Sequence, residues 1–317
     1  MRFIIINLIL IFCLVGCANK TDEKKINDRI SILSYASDLS VAKELNLNEI
    51  VLSQPVEVNY WSQSGQNPQN NLPHILSDIR FENKKKILKD VGKATNTIQP
   101  IYFEGKLCNV NTKGTLKCIN IETDEIKFEV DLSIDSEKNY DVIRGGIAYF
   151  DDQIILADGY GQIKVISSSD GSIIWEKNIE LPILSAPIVY RGYIYFITLN
   201  NKIYALNLTD GEIKWSFQTV FDDKKSLFSG VPAAIENVII APFSNGEIIA
   251  FIYDTGNIIW SESVAKISSS LSNFDIKDIA ANPIISDGKA YTLSNNGRLI
   301  ATNIINGSLV WSLEISG

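Results

Sequence analysis

A repeated segment with a fixed internal spacing runs through most of the 317-residue chain. Four copies carry a turn Gly followed four residues later by a Trp, and an earlier copy ends in Phe and lacks the Gly. The five aromatic residues are Phe128, Trp175, Trp215, Trp260 and Trp311. A second turn residue precedes each of them by 14 positions, at Gly114, Gly161, Asn201, Gly246 and Gly297. A constant spacing inside a longer, variable period predicts one rigid supersecondary unit per copy, joined by connections of variable length.

The third copy indicates what this unit is. Short β-branched and aromatic runs cover residues 186–190, 193–197, 202–206 and 212–217. The pairs between them, such as Asn200-Asn201 and Asp210-Gly211, accept the positive φ that tight hairpins need. No apolar stripe of helical period runs through the segment. The pattern therefore predicts a four-stranded antiparallel meander in each copy.

A single meander cannot bury both of its faces, whereas meanders arranged radially cover one another. We therefore predict an all-β chain that forms a β-propeller of four-stranded antiparallel blades over residues 55–317. The recurring Trp side chains are expected to pack between blades rather than bind a ligand, since an equivalent aromatic residue stands in every copy. A structural role is likewise expected for the prolines of the inner strands, Pro100, Pro187, Pro232 and Pro283.

Charge and composition exclude some classes of function. The formal net charge is −8, so no basic excess exists to displace the counterions of a nucleic acid. The chain contains a single His, His74, in a polar loop, and nothing in the sequence identifies the acid and the nucleophile that a catalytic His needs. We therefore expect no catalytic residue, and His74 is predicted to be an ordinary loop residue.

The first residues resemble a bacterial lipoprotein signal. Residues 3–15 are apolar except for Asn7, a run too short to span a bilayer stably. Leu14-Val15-Gly16-Cys17 resembles a lipobox, in which the Cys thiol receives the lipid. This resemblance predicts a signal peptide over residues 1–16 and a lipidated, palmitate-bearing Cys17; the alternative is an uncleaved N-terminal anchor.

Residues 17–54 follow as a lipidated Cys and a tether or N-terminal extension, polar at first and then weakly helical. Ala18 occupies the position at which a retention signal such as Asp could be. An Ala at this position resembles lipoproteins that are routed to the outer membrane. Several acyl chains on one Cys give durable attachment. The expected location is therefore the periplasmic face of the outer membrane.

Several motifs together resemble a known family. The segment from Ala205 to Trp215 is similar to the repeat of pyrroloquinoline-quinone-type β-propellers. Within that class, the lipobox, the motif from Trp61 to Pro68, Gly145-Gly146 and the motif from Pro242 to Glu247 are similar to BamB proteins. The resemblance implies a non-enzymatic, cofactor-free scaffold of the β-barrel assembly machinery. Its implied partners are BamA, the other Bam subunits and nascent outer-membrane proteins.

The number of copies departs from this family. BamB proteins form a closed ring of eight blades, whereas five copies occur here. The expectation is therefore an open arc or incomplete ring, which a truncated or frameshifted product would explain. The alternatives are a second chain that completes the ring and a small ring that has closed again.

Two inter-blade connections are the candidate partner-binding surface. Residues 221–229 and 268–278 precede the fourth and fifth blades and should emerge on the same face of the propeller. Leu227 and Phe228 are apolar in an otherwise polar stretch, which suggests a small anchor surrounded by charge. In the resemblance to BamB proteins this region matches the face that contacts the periplasmic POTRA domains of BamA, which implies Leu227 and Phe228, with Lys225 and Asp278, as the contacts. The alternative is that Leu227 and Phe228 pack beneath their own loop.

The cysteines leave one structural question open. Cys108 and Cys118 lie five residues on either side of Lys113, so they face each other if this segment is a hairpin. An oxidising periplasm permits a disulfide, and the alternative is a pair of buried thiols, since cross-strand disulfides are often strained. No metal site is expected, because the two Cys lie ten residues apart without a second pair or a nearby His.

The enzymatic alternative is a pyrroloquinoline-quinone-binding or degenerate quinoprotein dehydrogenase. Such enzymes resemble this repeat but usually carry adjacent cysteines over the cofactor and a calcium site of Glu, Asn and Asp. The mature sequence contains no vicinal Cys pair, and it shows no recognisable calcium cluster. The scaffold interpretation is therefore preferred.

Overall fold

The computed structural model describes residues 52–77, 98–111, 114–132, 145–220, 229–264 and 278–315. The chain divides into two compact units, residues 1–49 and 50–317, and every described residue lies in the second. Within the described ranges, no helix has the length and apolar character needed to cross a membrane. The predicted signal peptide, Cys17 and most of the tether lie outside these ranges.

The described residues form five antiparallel sheets of four strands, each in sequence order from the inner to the outer strand. Blade 1 contains β1 (Ile101–Phe103), β2 (Lys106–Val110), β3 (Thr115–Asn120) and β4 (Ile126–Asp131). Blade 2 contains β5 (Gly145–Phe150), β6 (Gln153–Asp158), β7 (Gln162–Ser167) and β8 (Ile173–Asn178). Blade 3 contains β9 (Ile188–Tyr190), β10 (Tyr193–Ile197), β11 (Lys202–Asn207) and β12 (Ile213–Gln218). Blade 4 contains β13 (Ala233–Ile235), β14 (Val238–Pro242), β15 (Glu247–Ile252) and β16 (Ile258–Ser263), and blade 5 contains β17 (Ile284–Ser286), β18 (Lys289–Leu293), β19 (Arg298–Asn303) and β20 (Leu309–Glu314).

These sheets confirm the predicted propeller of four-stranded blades, with small shifts in strand bounds. The inner strand of blade 3 begins at Ile188 rather than at Ala186. Pro187 lies directly before it, and a proline has no N–H to donate to a ladder. The outer strand of the same blade runs one residue later than predicted, from Ile213 to Gln218.

The constant 14-residue spacing has a structural cause in the outer hairpin of each blade. The second turn residue has a positive φ in every copy, for example 86° at Gly161 and 58° at Asn201. Its carbonyl accepts a hydrogen bond from the N–H just beyond the outer strand, as Gly161 does from Ile179 at 2.8 Å. In every blade the pairing between the third and fourth strands also shifts register at the same place. The shift comes directly after the residue that pairs with the repeated aromatic residue, as between Val165 and Ile166. An inserted or deleted residue would break this shared pairing, so the spacing is invariant.

The hydrophobic core lies between adjacent blades. Four clusters of buried apolar side chains join blades 1 and 2, 2 and 3, 3 and 4, and 4 and 5. Each of the middle blades thus buries both faces against its neighbours, as a radial arrangement requires.

The repeated Trp forms the same contact at three of these interfaces. The indole N–H of Trp175 donates to the Leu208 carbonyl of the next blade at 2.9 Å. Trp215 and Trp260 donate in the same way at 2.8 Å, to the carbonyls of Tyr253 and Ile304. Inter-blade packing is therefore confirmed for these three side chains. Trp311 was predicted to pack likewise, but it has no blade beyond it among the described residues and is 40% exposed.

The repeated turn Gly is required because the aromatic ring of the preceding blade lies against it. A Cβ added at Gly256 would lie 2.6 Å from Cδ2 of Trp215, and one at Gly307 would lie 2.7 Å from Cδ2 of Trp260. The same approach occurs at Gly171 over Phe128 and at Gly211 over Trp175. Each of these glycines also has a positive φ between 70° and 79°. We call this combination, the turn Gly and the carbonyl three residues before it, the aromatic socket.

Cys108 and Cys118 are directly opposite each other in β2 and β3, and the structure joins them in a disulfide. Both are fully buried in the cluster between blades 1 and 2. The same register position holds an apolar pair in other blades, such as Ile155 with Val165 and Tyr195 with Ala205. The pairing stays a prediction for the protein in solution, which a mass measurement without reductant would test.

Candidate functional site: the face of the inter-blade connections

A segment that precedes the first blade runs beside the inner strands. This axial segment, residues 61–70, forms backbone hydrogen bonds with four of the five inner strands. Trp61 exchanges two with Tyr102 of β1, and the Ser62 carbonyl accepts one from the Tyr149 N–H of β5. The remaining two run from the Ala234 N–H of β13 to the Pro68 carbonyl and from the Ile285 N–H of β17 to the Gln69 carbonyl. Ten residues thus connect blades 1, 2, 4 and 5.

The composition of the axial segment follows from these contacts. Asn70 is buried, and its Nδ2 donates to the carbonyls of Val231, Pro232 and Pro283 at 3.0 to 3.3 Å, which joins blades 4 and 5. Only Gly fits at position 65, because a Cβ there would lie 1.9 Å from Oδ1 of Asn70. The motif therefore has a structural role.

A cavity of about 150 Å³ lies beside the axial segment and is lined by β5 of blade 2 and by the segments that directly precede the inner strands of the other four blades. Its lining comprises Ser64, Gln99, Gly145, Gly146, Ile147, Leu184, Ala186, Ser229, Val231 and Asn282. Ser64 Oγ donates to Gln99 Oε1 at 3.1 Å, and Asn282 Oδ1 accepts from the Val231 N–H at 2.9 Å. None of these lining side chains is ionisable. The cavity thus combines an apolar wall with hydroxyl and amide groups and supplies no general acid or base.

Gly145 and Gly146 let the second inner strand approach its neighbours at this cavity. A Cβ on Gly146 would lie 2.4 Å from the Ala186 Cβ of the next blade. At Gly145, with φ of 88°, it would lie 2.0 Å from the Ala157 carbonyl oxygen. Gly146 therefore allows the close contact between blade 2 and the segment that leads into blade 3, whereas Gly145 allows β5 to begin against β6 of its own blade.

One buried carboxylate lies close to this part of the fold. Asp158 ends β6, and its Oδ1 accepts the N–H groups of Tyr160 and Gln162, each at 2.9 Å. Burial raises the pKa of this carboxyl above its ordinary value, although these hydrogen bonds partly offset the effect. Its contacts are those of a turn-stabilising residue.

Of the four predicted partner contacts, only Asp278 lies within the described residues. Lys225, Leu227 and Phe228 lie outside the described residues, but Ser229, the next residue, lines the cavity. Asp278 is fully buried, and its carbonyl accepts the Asn295 N–H at 2.8 Å. Its side chain is therefore inaccessible to a partner, and position 278 is set aside from the surface that we propose below.

His74 and the possible metal ligands were the other candidates for a chemical role. His74 is exposed, and its Nδ1 donates to the Ser53 carbonyl at 2.7 Å, as befits the loop residue that was predicted. In the described part of the chain, no three His, Cys, Asp or Glu side chains lie close enough together to hold a metal ion. Sequence reasoning missed the role of the axial segment, whose only signal was the polar run of Gln, Asn and Gly around Asn67.

Comparisons with known proteins agree with this architecture. Residues 112–317 match the sequence model of the family described as "Outer membrane protein assembly factor BamB". The assembly factors of that name from Yersinia pestis and Moranella endobia are 24% and 26% identical over 71% of this chain. The matched regions cover 58% and 59% of those relatives, so the chain spans less than two thirds of their length.

Solved structures show the same fold. BamB from Moraxella catarrhalis superposes with a TM-score of 0.62 at 18% identity, over 69% of this chain and 65% of that one. A europium-containing methanol dehydrogenase superposes with a TM-score of 0.66 at 13% identity, over 81% and 58%. At these identities the likeness concerns the fold alone.

Proposed function

We propose, from the premise that this chain belongs to the BamB family of outer membrane protein assembly factors, that it is a non-enzymatic scaffold subunit of the β-barrel assembly machinery. The observation that carries the proposal is the family match over residues 112–317, which covers β3 and β4 of blade 1 and all of blades 2 to 5. In this role the chain binds BamA and, with the other Bam subunits, assists the insertion of β-barrel proteins into the outer membrane.

The geometry of the connection face supports a binding role. The axial segment forms hydrogen bonds with backbone groups inside four inner strands, so the connections that enter these strands start from a rigid base. Loops on a rigid scaffold are the usual carriers of recognition. We place the contact with BamA on the connections 221–229 and 268–277, with Leu227 and Phe228 as apolar anchors beside Lys225.

A lipid anchor would hold this face near the membrane. We propose cleavage of residues 1–16, acylation of Cys17 and a tether to residue 54, with the propeller in the periplasm. Multiple acyl chains on one Cys give stable anchoring, whereas a single chain binds reversibly.

Genetic rescue tests the proposed function. The full chain, expressed in a Gram-negative strain that lacks its own BamB, is expected to restore the level of outer-membrane β-barrel proteins. The measurement is the amount of folded porin in purified outer membranes. A Cys17→Ala variant serves as the matched control and is expected to lose most of the rescue. Rescue that is absent with the full chain, although the protein accumulates in the outer membrane, would contradict the proposal.

The enzymatic alternative is a quinone-binding dehydrogenase, with which the superposition on a methanol dehydrogenase agrees as regards the fold alone. It predicts that the protein, incubated with pyrroloquinoline quinone and calcium, retains the quinone and reduces an electron-accepting dye with an alcohol. The scaffold proposal predicts neither result.

A further inference from the structure

The interface between blades 1 and 2 lacks the hydrogen bond that the aromatic sockets of blades 3, 4 and 5 receive. Phe128 takes the place of the repeated Trp in blade 1 and has no N–H to donate. Gly171 still lies against its ring, since a Cβ there would be 2.7 Å from Cδ2 of Phe128. The carbonyl of this socket belongs to Ser168, which is 2% exposed, and no group among the described residues donates to it. A buried carbonyl is therefore left without the donor that its counterparts have.

A covalent pair lies beside Phe128 in the same row of the blade. In every blade three residues pair directly across the second, third and fourth strands, and the last of them is the repeated aromatic residue. The rows of blades 1 and 4 are, respectively, Cys108, Cys118 and Phe128, and Ile240, Ala250 and Trp260. Blade 1 thus has a disulfide where blade 4 has an apolar pair, next to the aromatic residue that cannot donate.

The disulfide lies inside the interface. Cys108 and Cys118 are fully buried in the cluster that also contains Ile147, Ile154 and Leu156 of blade 2. Thiol–disulfide exchange needs direct attack on a sulfur atom, so a reagent reaches this pair only when blade 1 separates from blade 2. Oxidation of the pair and closure of the interface are therefore coupled.

We propose that the disulfide between Cys108 and Cys118 is a redox-dependent lock on the interface between blades 1 and 2, in place of the missing indole hydrogen bond. Oxidation joins the two Sγ atoms, and the two protons and two electrons pass by thiol–disulfide exchange to an external disulfide, which becomes two thiols. The bond joins residues ten positions apart and removes open conformations of the hairpin of β2 and β3. Blade 1 therefore holds its interface in an oxidising compartment and opens more readily in a reducing one. The proposal does not rest on the function proposed above.

Hydrogen exchange of the full-length chain tests the lock. The chain is refolded with either oxidised glutathione or excess dithiothreitol, and its mass verifies the loss of two hydrogens in the oxidised form. The amides of β3 are expected to exchange about a hundredfold faster in the reduced chain, the factor that a disulfide closing so short a loop contributes. The amides of β15 in blade 4 are the internal reference and are expected to exchange at the same rate in both forms.

A transplanted row tests the link to the missing hydrogen bond. The variant Cys108→Ile/Cys118→Ala/Phe128→Trp gives blade 1 the row of blade 4, and its indole N–H is expected to donate to the Ser168 carbonyl. This variant is expected to keep β3 protected in dithiothreitol. The matched control Cys108→Ile/Cys118→Ala keeps Phe128 and is expected to lose the protection, as the reduced chain does.

A lock on one interface and general stabilisation give different results. The proposal is overturned if oxidised glutathione yields no disulfide in the folded chain, if β3 exchanges equally fast in the two forms, or if β3 and β15 accelerate alike on reduction. It is also overturned if the matched control retains the protection of β3 or if the folded triple variant loses it. Faster exchange that is confined to blade 1 and prevented by the transplanted row supports it. If the triple variant does not fold, the oxidised and reduced wild-type chains alone decide between these results.

Discussion

Trp215→Ala is expected to lower the free energy of unfolding by about 3–5 kcal/mol, the range for loss of a large buried aromatic side chain. Trp215 is 8% exposed, contacts Phe251 of the next blade at 5.5 Å between ring centroids, and donates to the Tyr253 carbonyl. Its removal leaves a cavity between blades 3 and 4 and deprives the Tyr253 carbonyl of one of its two donors, the other being the Tyr195 hydroxyl. Urea unfolding followed by tryptophan fluorescence and circular dichroism measures the loss.

Trp311→Ala is the matched control for this prediction. It stands at the same position of its blade, but its ring is 40% exposed and its indole N–H bonds to no described residue. We expect a loss of about 1 kcal/mol or less, in line with substitutions at exposed sites. Equal losses for the two variants would show that the aromatic residue stabilises its own blade rather than the interface.

Replacing both Leu227 and Phe228 by Ala is expected to weaken capture of BamA by at least about thirtyfold, and to abolish it in a pull-down. Apolar anchors at the centre of a contact commonly contribute about 2 kcal/mol or more each. The measurement is the amount of BamA retained by the immobilised chain, compared with wild type. Unchanged capture would contradict the assignment of these two residues.

Ile213→Ala provides the control for the loop variant. Ile213 is an exposed apolar residue at the start of the outer strand β12, away from the connection face. Capture by this variant is expected to equal that of wild type. Comparing the unfolding curves of both variants with that of wild type separates a lost contact from a lost fold. If Leu227 and Phe228 instead pack beneath their own loop, stability falls along with capture.

Local signals were sufficient to predict the blades. The 14-residue spacing predicts the outer hairpin because the turn residue, the register shift and the aromatic residue all belong to one pair of strands. The start of β9 moved because Pro187 cannot donate to the ladder, whereas β12 runs one residue later than predicted without such a cause. Turn chemistry and period-two patterning act over a few residues, so the sequence displays them openly.

Contacts between distant segments were not predictable in this way. Asn70 bonds to carbonyls 161 to 213 residues later in the chain, and no local pattern marks its partners. Asp278 was taken for a surface residue because it ends a polar stretch, yet the fold buries it. The packing of each aromatic ring against the turn Gly of the next blade likewise becomes visible only once the neighbouring blade is placed.

Binding to BamA tests the central claim most directly. The purified chain is titrated by calorimetry with the periplasmic POTRA domains of BamA, in parallel with a titration by pyrroloquinoline quinone and calcium. The scaffold account predicts saturable one-to-one binding to the POTRA domains and no binding of the quinone. Absence of heat with the POTRA domains from a properly folded chain, together with stoichiometric binding of the quinone, would contradict it.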